Sequence, residues 1–149
     1  MASPSHKENK MPMQIEPYLT FNGNCEQALE FYAQCLGGKV RFMQRYGGSP
    51  MDNAQLPAEW KNKVMHAVFE ADGTTFMGSD AMPGQPAKGY SGISMSLNVP
   101  KDSARAQRIF DALAAGGQVQ MPYAKTFWAE GFGMLTDKFG VPWMVNCGE

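Results

Sequence analysis

Side chains that could perform acid–base or metal chemistry are few in this sequence. Apart from His6 the only histidine is His66, which could act as a general base, bind a metal alone, or hydrogen-bond within a strand. Glu16 and Asp80 are two carboxylates that fall at predicted strands. Asp80 could orient a polar ligand, or it could cap a turn at the end of its strand. We take Glu16, His66 and Asp80 as the candidate catalytic residues.

A larger group of side chains could hold a small molecule without reacting with it. Phe127 and Trp128 are adjacent, so on a strand they would point to opposite faces, with one of them in the core. Trp128 is interpreted as a pocket wall, a dimer contact or a core residue. Trp143 alternates with Met144 and is predicted to be buried. The candidate ligand-binding residues are Tyr18, Ser79, Asp80, Tyr90, Ser94, Phe127, Trp128 and Met144.

The three cysteines indicate neither a zinc site nor a disulfide framework. Cys25, Cys35 and Cys147 lack the close spacing of zinc ligands. Reduced thiols are typical of the cytosol, and free cysteines are among the most commonly buried residues. We therefore predict a cytoplasmic protein.

Charge and hydropathy argue against two classes of partner. The formal net charge is −1 and the basic residues form no stripe, so binding to nucleic acid is not expected. No apolar run approaches the roughly 20 residues needed to cross a bilayer, which argues against a membrane protein. Residues 1–12 lack the hydrophobic region of a signal peptide and are interpreted as a disordered leader or a cloning remnant.

An internal repeat determines how the candidate residues are positioned. The segment 31–40 reads FYAQCLGGKV and the segment 110–119 reads FDALAAGGQV, with five identities at one constant offset. A Gly-Gly pair alone could match by chance, but five identities indicate a duplicated structural unit.

Each copy begins with alternating apolar and polar residues. Segments 15–21 and 93–99 place apolar side chains at every second position, which is typical of a half-buried strand. The apolar set includes Ile15 and Ile93, and the other set includes Tyr18 and Ser94. The second set is too polar for a dry core and suits the wall of a hydrated pocket between two curved sheets.

A helix is predicted to follow each of these strands. Asn24 can cap the first helix, and Asp102 or Ser103 can cap the second. Gly37 and Gly116 are expected to end them, because glycine accepts the left-handed conformation of a helix C-cap.

The remaining strands complete two βαβββ units in an α+β fold. The first copy offers strands at 39–46, 64–71 and 74–80, and the second at 118–123, 131–137 and 142–147. The predicted organisation is a first module over 13–82 and a second over 90–149, forming one compact domain.

Several longer strings resemble a known superfamily. They are PYLTFNGNC from Pro17, SDAM from Ser79, and TFWAEGFG from Thr126 running into TDKFGVPW, which ends at Trp143. They resemble the PhnB-like branch of the vicinal-oxygen-chelate (glyoxalase/bleomycin-resistance) superfamily, whose members are often labelled demethylubiquinone methyltransferase-like. The resemblance implies curved mixed sheets around a cavity and a homodimer. A methyl donor usually binds a doubly wound sheet through a glycine-rich turn, so methyltransferase activity is not expected.

The resemblance also gives the positions at which metal-dependent members bind a divalent ion. In this sequence they correspond to Glu16, Gly78, Gly92 and Met144, with Met77 or Ser79 replacing Gly78 if the register shifts by one residue. Glycine offers no ligand atom and the thioether of methionine is a soft ligand. We predict no bound metal and no cofactor.

Three functions remain open at this stage. The protein could bind a small molecule in the cavity without chemistry, it could catalyse an unidentified reaction with Glu16, His66 or Asp80, or it could be a structural or regulatory dimer. We expect the first of these.

Overall fold

The computed structural model describes residues 12–148. The predicted leader therefore lies outside the described residues, except for Pro12. The elements in chain order are β1 (Tyr18–Phe21), α1 (Cys25–Leu36), β2 (Lys39–Arg45), a 3-10 helix (Ala58–Trp60), β3 (Val64–Ala71), β4 (Thr74–Asp80), β5 (Met95–Asn98), α2 (Ser103–Ala114), β6 (Gln118–Ala124), β7 (Gly131–Thr136) and β8 (Pro142–Cys147).

The strands form two four-stranded mixed sheets with the same connectivity. Sheet A has the order β1-β4-β3-β2, and sheet B has the order β5-β8-β7-β6. β1 runs parallel to β4, and β5 runs parallel to β8. All other neighbouring strands are antiparallel. The predicted α+β fold with two βαβββ units is confirmed.

Both opening strands are shorter than the alternation predicts. Ile15 is 99 % exposed and Ile93 is 67 % exposed, so the prediction that they face the core is wrong. The ladder between β5 and β8 starts with Met95 beside Trp143, directly after Pro142, which has no N–H to donate. The residues before Met95 therefore leave the sheet, and the residues before β1 likewise extend past its pairing.

The helix-covered sides of the two sheets share one hydrophobic core. α1 packs on sheet A, α2 packs on sheet B, and the two helices contact each other. Aromatic rings join the units: the ring centroids of Tyr32 and Trp143 lie 5.3 Å apart, and those of Phe31 and Phe139 lie 5.7 Å apart. Because these sides meet inside the chain, the opposite side of each sheet points outward.

We call these outward sides open face A and open face B. Open face A carries the side chains of Tyr18, Thr20, Phe42, Gln44, His66, Val68, Met77 and Ser79. Open face B carries those of Ser96, Asn98, Met121, Phe132, Met134, Met144 and Asn146.

The helices begin in different ways. The side chain of Asn24 makes no capping hydrogen bond at α1, so that prediction is wrong. The Asp80 carboxylate accepts the Cys25 N–H instead. At α2 the prediction is confirmed, because the Asp102 side chain accepts the Arg105 N–H at 3.0 Å. Gly37 ends α1 in the left-handed conformation, with φ of 71°.

Candidate functional site

Open face A holds a histidine between two aromatic rings. Nδ1 of His66 lies 3.0 Å from the Tyr18 hydroxyl, and the two rings stack with their centroids 5.7 Å apart. The Phe42 ring lies 6.1 Å away on the other side. The arrangement satisfies the imidazole within the sheet and still leaves its other ring nitrogen available to a ligand.

A pocket of about 390 Å³ adjoins this histidine at the end of sheet A, and we call it the sheet A pocket. Thr20 and Ser79, paired across β1 and β4, form part of its wall. The methionines Met51, Met65 and Met82 supply most of the remaining apolar surface. Ser79, which the sequence indicates as a ligand-binding residue, lies here.

The pocket wall is built by the segment between β2 and β3. This segment folds back on itself, since the Gly47 N–H donates to the Lys61 carbonyl at 2.9 Å. The indole N–H of Trp60 then donates to the Ala81 carbonyl at 3.0 Å. These bonds fix the loop beside the last residues of β4, and the loop thereby contributes Met51 to the pocket.

Asp80 stabilises the backbone around the pocket and presents little surface to a ligand. It is 2 % exposed, and its Oδ1 accepts the N–H groups of Gly23 and Cys25 at 2.9 Å each. Oδ2 accepts the N–H of Val64, also at 2.9 Å. Three backbone donors therefore occupy this carboxylate, which holds the start of α1 and the start of β3 together.

The structure does not bring the three catalytic candidates together. Glu16 precedes β1 and accepts a hydrogen bond from the Thr75 hydroxyl, at the end of sheet A away from the pocket. Asp80 points toward α1, and only His66 lies on open face A. Concerted acid–base chemistry by Glu16, His66 and Asp80 has no geometric support.

The positions carried over from metal-dependent relatives are also dispersed. Gly78 lies on the core side, where an added Cβ would stand 3.4 Å from the Cys25 sulfur, so its neighbour Ser79 is the residue on the open face. Gly92 lies in the loop before β5 with φ of 78°, and Met144 lies on open face B. Within residues 12–148 no group of three or more His, Cys, Asp or Glu side chains is placed to hold a metal ion.

Tyr90 and Ser94 lie apart from the sheet A pocket. The Tyr90 hydroxyl donates to the Thr20 carbonyl at 2.7 Å, and burial, followed by the nearby Asp137 carboxylate, raises the pKa of Tyr90 to about 12. Ser94 borders a different cavity, an inter-unit cleft of about 340 Å³. Apolar side chains that include Phe76 and Trp143 line this cleft.

Phe127 and Trp128, the most exposed aromatic residues of the described chain, lie beside open face B. Phe127 is 96 % exposed and Trp128 is 55 % exposed, so the prediction that one of them enters the core is wrong. They lie in the turn before β7 and touch each other with centroids 4.8 Å apart, while Trp128 also touches Phe132 at 5.5 Å. Trp143, in contrast, is buried as predicted.

A row of methionines crosses open face B, and of its members only Met144 was among the predicted site residues. Met121 of β6 pairs with Met134 of β7, Met134 pairs with Met144 of β8, and Met144 pairs with Ser96 of β5. Alternation of Phe132 and Met134 with glycines along β7 is the signal that could have identified this surface.

The cysteines have the properties of structural thiols. Cys25 and Cys147 are buried, and burial raises the pKa of Cys25 well above its usual range. Burial, followed by the Asp137 carboxylate, raises the pKa of Cys35 to about 11. A thiol that stays protonated at neutral pH is a poor nucleophile.

The fold and these faces can now be compared with known proteins. Residues 13–146 match the family model described as 3-demethylubiquinone-9 3-methyltransferase. The chain belongs to this family. It is 40 % identical over 141 residues to protein YjdN from Escherichia coli. The aligned region covers 90 % of this chain and 95 % of YjdN. The predicted membership of the PhnB-like branch is confirmed.

Solved structures agree with this assignment. Protein PA1353 from Pseudomonas aeruginosa is 51 % identical, with a TM-score of 0.82 over 92 % of this chain and 98 % of that one. The PhnB protein from Bacillus cereus is 25 % identical, with a TM-score of 0.75 over 91 % and 100 %. A glyoxylase/bleomycin resistance protein/dioxygenase domain from Frankia is 14 % identical, with a TM-score of 0.66 over 94 % of each chain, and shares the fold.

The structure gives one further finding on the class of protein. No helix within residues 12–148 is both long enough and apolar enough to span a membrane.

Proposed function

We propose that this protein binds a small molecule in the sheet A pocket, without a metal, and that a second copy of the chain completes the site. The pocket itself carries the proposal. Its volume of about 390 Å³ falls in the range of roughly 300–1,000 Å³ common for small-molecule sites. Thr20 and Ser79 offer hydroxyl groups inside it. Tyr18, which is hydrogen-bonded to His66, lies two residues before Thr20 on the same face of β1.

The two open faces support assembly into a homodimer. Large apolar side chains are exposed on both: Tyr18 is 45 % and Phe42 is 49 % exposed on open face A, and Met121 is 42 % exposed on open face B. Exposed apolar patches of this kind mark protein interfaces. A symmetric dimer that sets face A of each copy against face B of the other buries both patches and closes both pockets.

Native mass spectrometry of freshly purified protein tests the ligand. We expect a dimer that carries a co-purified small molecule and no metal. Ser79→Phe fills the pocket and is expected to remove that molecule, and Thr20→Phe is a second variant in case the first folds poorly. Ser94→Phe, in the inter-unit cleft, is the matched control and should retain the molecule. Loss in the control with retention in both pocket variants would place the site in the cleft and refute the proposal.

Sedimentation velocity tests the dimer separately. Trp128→Ser removes an exposed aromatic contact from open face B without creating a cavity, so the melting temperature of the monomer should hardly change. We expect the wild type to sediment as a dimer and the variant to shift toward the monomer. A wild type that is monomeric at micromolar concentration would contradict this arrangement.

A further inference from the structure

We infer that the ligand of the sheet A pocket is an uncharged, planar aromatic molecule, an inference that rests on the proposed function and specifies the class of ligand. The inference comes from the distribution of charge on the open faces and from the kind of apolar side chain around the pocket.

Charged groups available to a ligand are absent from the described lining of the pocket. Asp80 is the one charged residue there, and backbone N–H groups from Gly23, Cys25 and Val64 occupy both of its carboxylate oxygens. A charged ligand would therefore enter the pocket without a counter-charge. Removing a charge from water without pairing costs far more than a methionine contact returns.

The charged side chains of open face A lie together at its other end. The Glu70 carboxylate is 3.6 Å from the Lys39 ammonium and 3.2 Å from the Arg41 guanidinium, so these groups pair with one another. Glu70 pairs with Thr75 on β4, four residues from Ser79, which is about 13 Å at the rise of a β-strand. This cluster therefore does not serve a ligand held beside Ser79.

Three methionines form part of the pocket lining, and two rings lie on the same face of sheet A. Met51, Met65 and Met82 line the pocket, and thioether sulfur makes favourable contacts with the edges of aromatic rings. The stacked rings of Tyr18 and His66 offer a flat surface beside it. A flat aromatic ligand matches both features.

Hydrogen bonding is available but limited. Within the pocket the side-chain hydroxyls of Thr20 and Ser79 and the exposed amide of Gln85 can donate or accept. One or two polar substituents on an otherwise apolar ring system would satisfy these groups, whereas a polyol or a sugar would place many hydroxyls against methionine.

Two fluorescent probes that differ in one charged group test the inference. N-phenyl-1-naphthylamine is uncharged, and 8-anilino-1-naphthalenesulfonate is the same skeleton with a sulfonate. N-(1-naphthyl)ethylenediamine supplies a cationic competitor. We expect N-phenyl-1-naphthylamine to bind the wild-type protein at least about tenfold more tightly than either charged compound. Ser79→Phe and Thr20→Phe should each weaken its binding by about tenfold or more, and Ser94→Phe should leave it unchanged.

The outcomes separate this inference from the proposed function. A charged probe could instead bind as tightly as the uncharged one and be weakened equally by Ser79→Phe and Thr20→Phe. That result would refute the inference of an uncharged ligand and would support the site. If the affinities of all probes are unchanged in both pocket variants, or if no probe binds, the proposed site is wrong. A reciprocal variant strengthens the test: Thr20→Asp should weaken N-phenyl-1-naphthylamine and favour the cationic diamine.

Discussion

Two buried carboxylates show how differently the two units are held together. Asp80, at the end of β4, accepts backbone N–H groups of the first unit alone. Asp137, after β7, is 3 % exposed, and its Oδ1 accepts N–H groups of its own turn. Its Oδ2 accepts the Trp143 indole N–H at 2.9 Å and the Tyr32 hydroxyl at 2.5 Å, and Tyr32 belongs to the first unit.

The two carboxylates therefore have different roles: one stabilises the fold of a single unit, and the other fixes how the two units pack together. Asp80 fixes the helix start and the neighbouring strand within one unit, so it acts on local structure. Asp137 organises a turn of one unit around a hydroxyl group of the other, so it acts on their relative orientation. Hydrophobic contacts between the units are not directional, whereas these hydrogen bonds require one geometry.

Removing either carboxylate is the largest expected effect. Asp80→Ala removes the acceptor of three backbone N–H groups, two of them in buried bonds, and Asp137→Ala removes the acceptor of four donors. We therefore expect each variant to lose about 3 kcal/mol or more of unfolding free energy. In Asp80→Ala, hydrogen exchange should accelerate most at Gly23, Cys25 and Val64. In Asp137→Ala the exchange rates of these three amides, relative to the other protected amides, should not change.

Urea denaturation and hydrogen exchange by mass spectrometry measure both effects. Asp80→Asn and Asp137→Asn keep one acceptor oxygen and serve where the alanine variants do not fold. Acceleration at the same three amides in both series would abolish the distinction between the carboxylates.

Tyr32→Phe tests the link between the units with a smaller change. It removes one hydrogen bond to a carboxylate, for which we expect a loss of about 1.5–3 kcal/mol near neutral pH. Burial, and next the Asp137 carboxylate, raise the pKa of Tyr32 above its usual value of 10.0. The unfolded phenol ionises above about pH 10 while the folded one stays neutral, so its contribution is complete below pH 10 and is lost as pH rises.

The variant should therefore lose less stability than the wild type between about pH 9 and about pH 11. Denaturant titrations across that range measure it. Tyr18→Phe is the control, because it removes a hydroxyl from open face A, where the side chain is 45 % exposed. Equal alkaline losses in the wild type and Tyr32→Phe would show that folding does not raise the pKa of Tyr32.

The two helix starts give the smallest and most local comparison. Asp102→Ala removes a side chain that accepts the Arg105 N–H and should cost about 1 kcal/mol. Asn24→Ala removes a side chain that makes no capping bond, so a change of no more than a few tenths of a kcal/mol is expected. Melting temperatures compare the pair, and an equal loss in both would show that Asn24 caps α1 in solution.

Local sequence signals predicted the framework of this protein well. The repeated segments at 31–40 and 110–119 identified two copies of one unit, and the strands predicted at 64–71, 74–80 and 142–147 coincide with β3, β4 and β8. The burial of Trp143 was predicted from its alternation with Met144. These inferences succeed because the period of two in a strand and the conformational demands of a helix end act over a few neighbouring residues.

The candidate site was predicted less completely, because its members come from separate segments. The sequence indicated Tyr18 through polar alternation, and Ser79 as the residue before Asp80 at the end of a predicted strand. It gave no sign that Met51, from a loop, would reach the same pocket, or that Phe127 and Trp128 would both lie outside the core. Such placements depend on how a loop folds against a sheet end, which no local pattern encodes.

The sequence by itself determined the βαβββ repeat and the alternation that divides each strand into two faces. Tertiary structure decided what each face meets. It turned the helix-covered sides toward each other, so that Tyr32 reaches Asp137 across 105 residues of chain, and it left both open faces outward. The physical reason is that hydrophobic patterning specifies which side chains avoid water, whereas the partner against which they pack is selected by shape and by directional hydrogen bonds formed only in the folded chain.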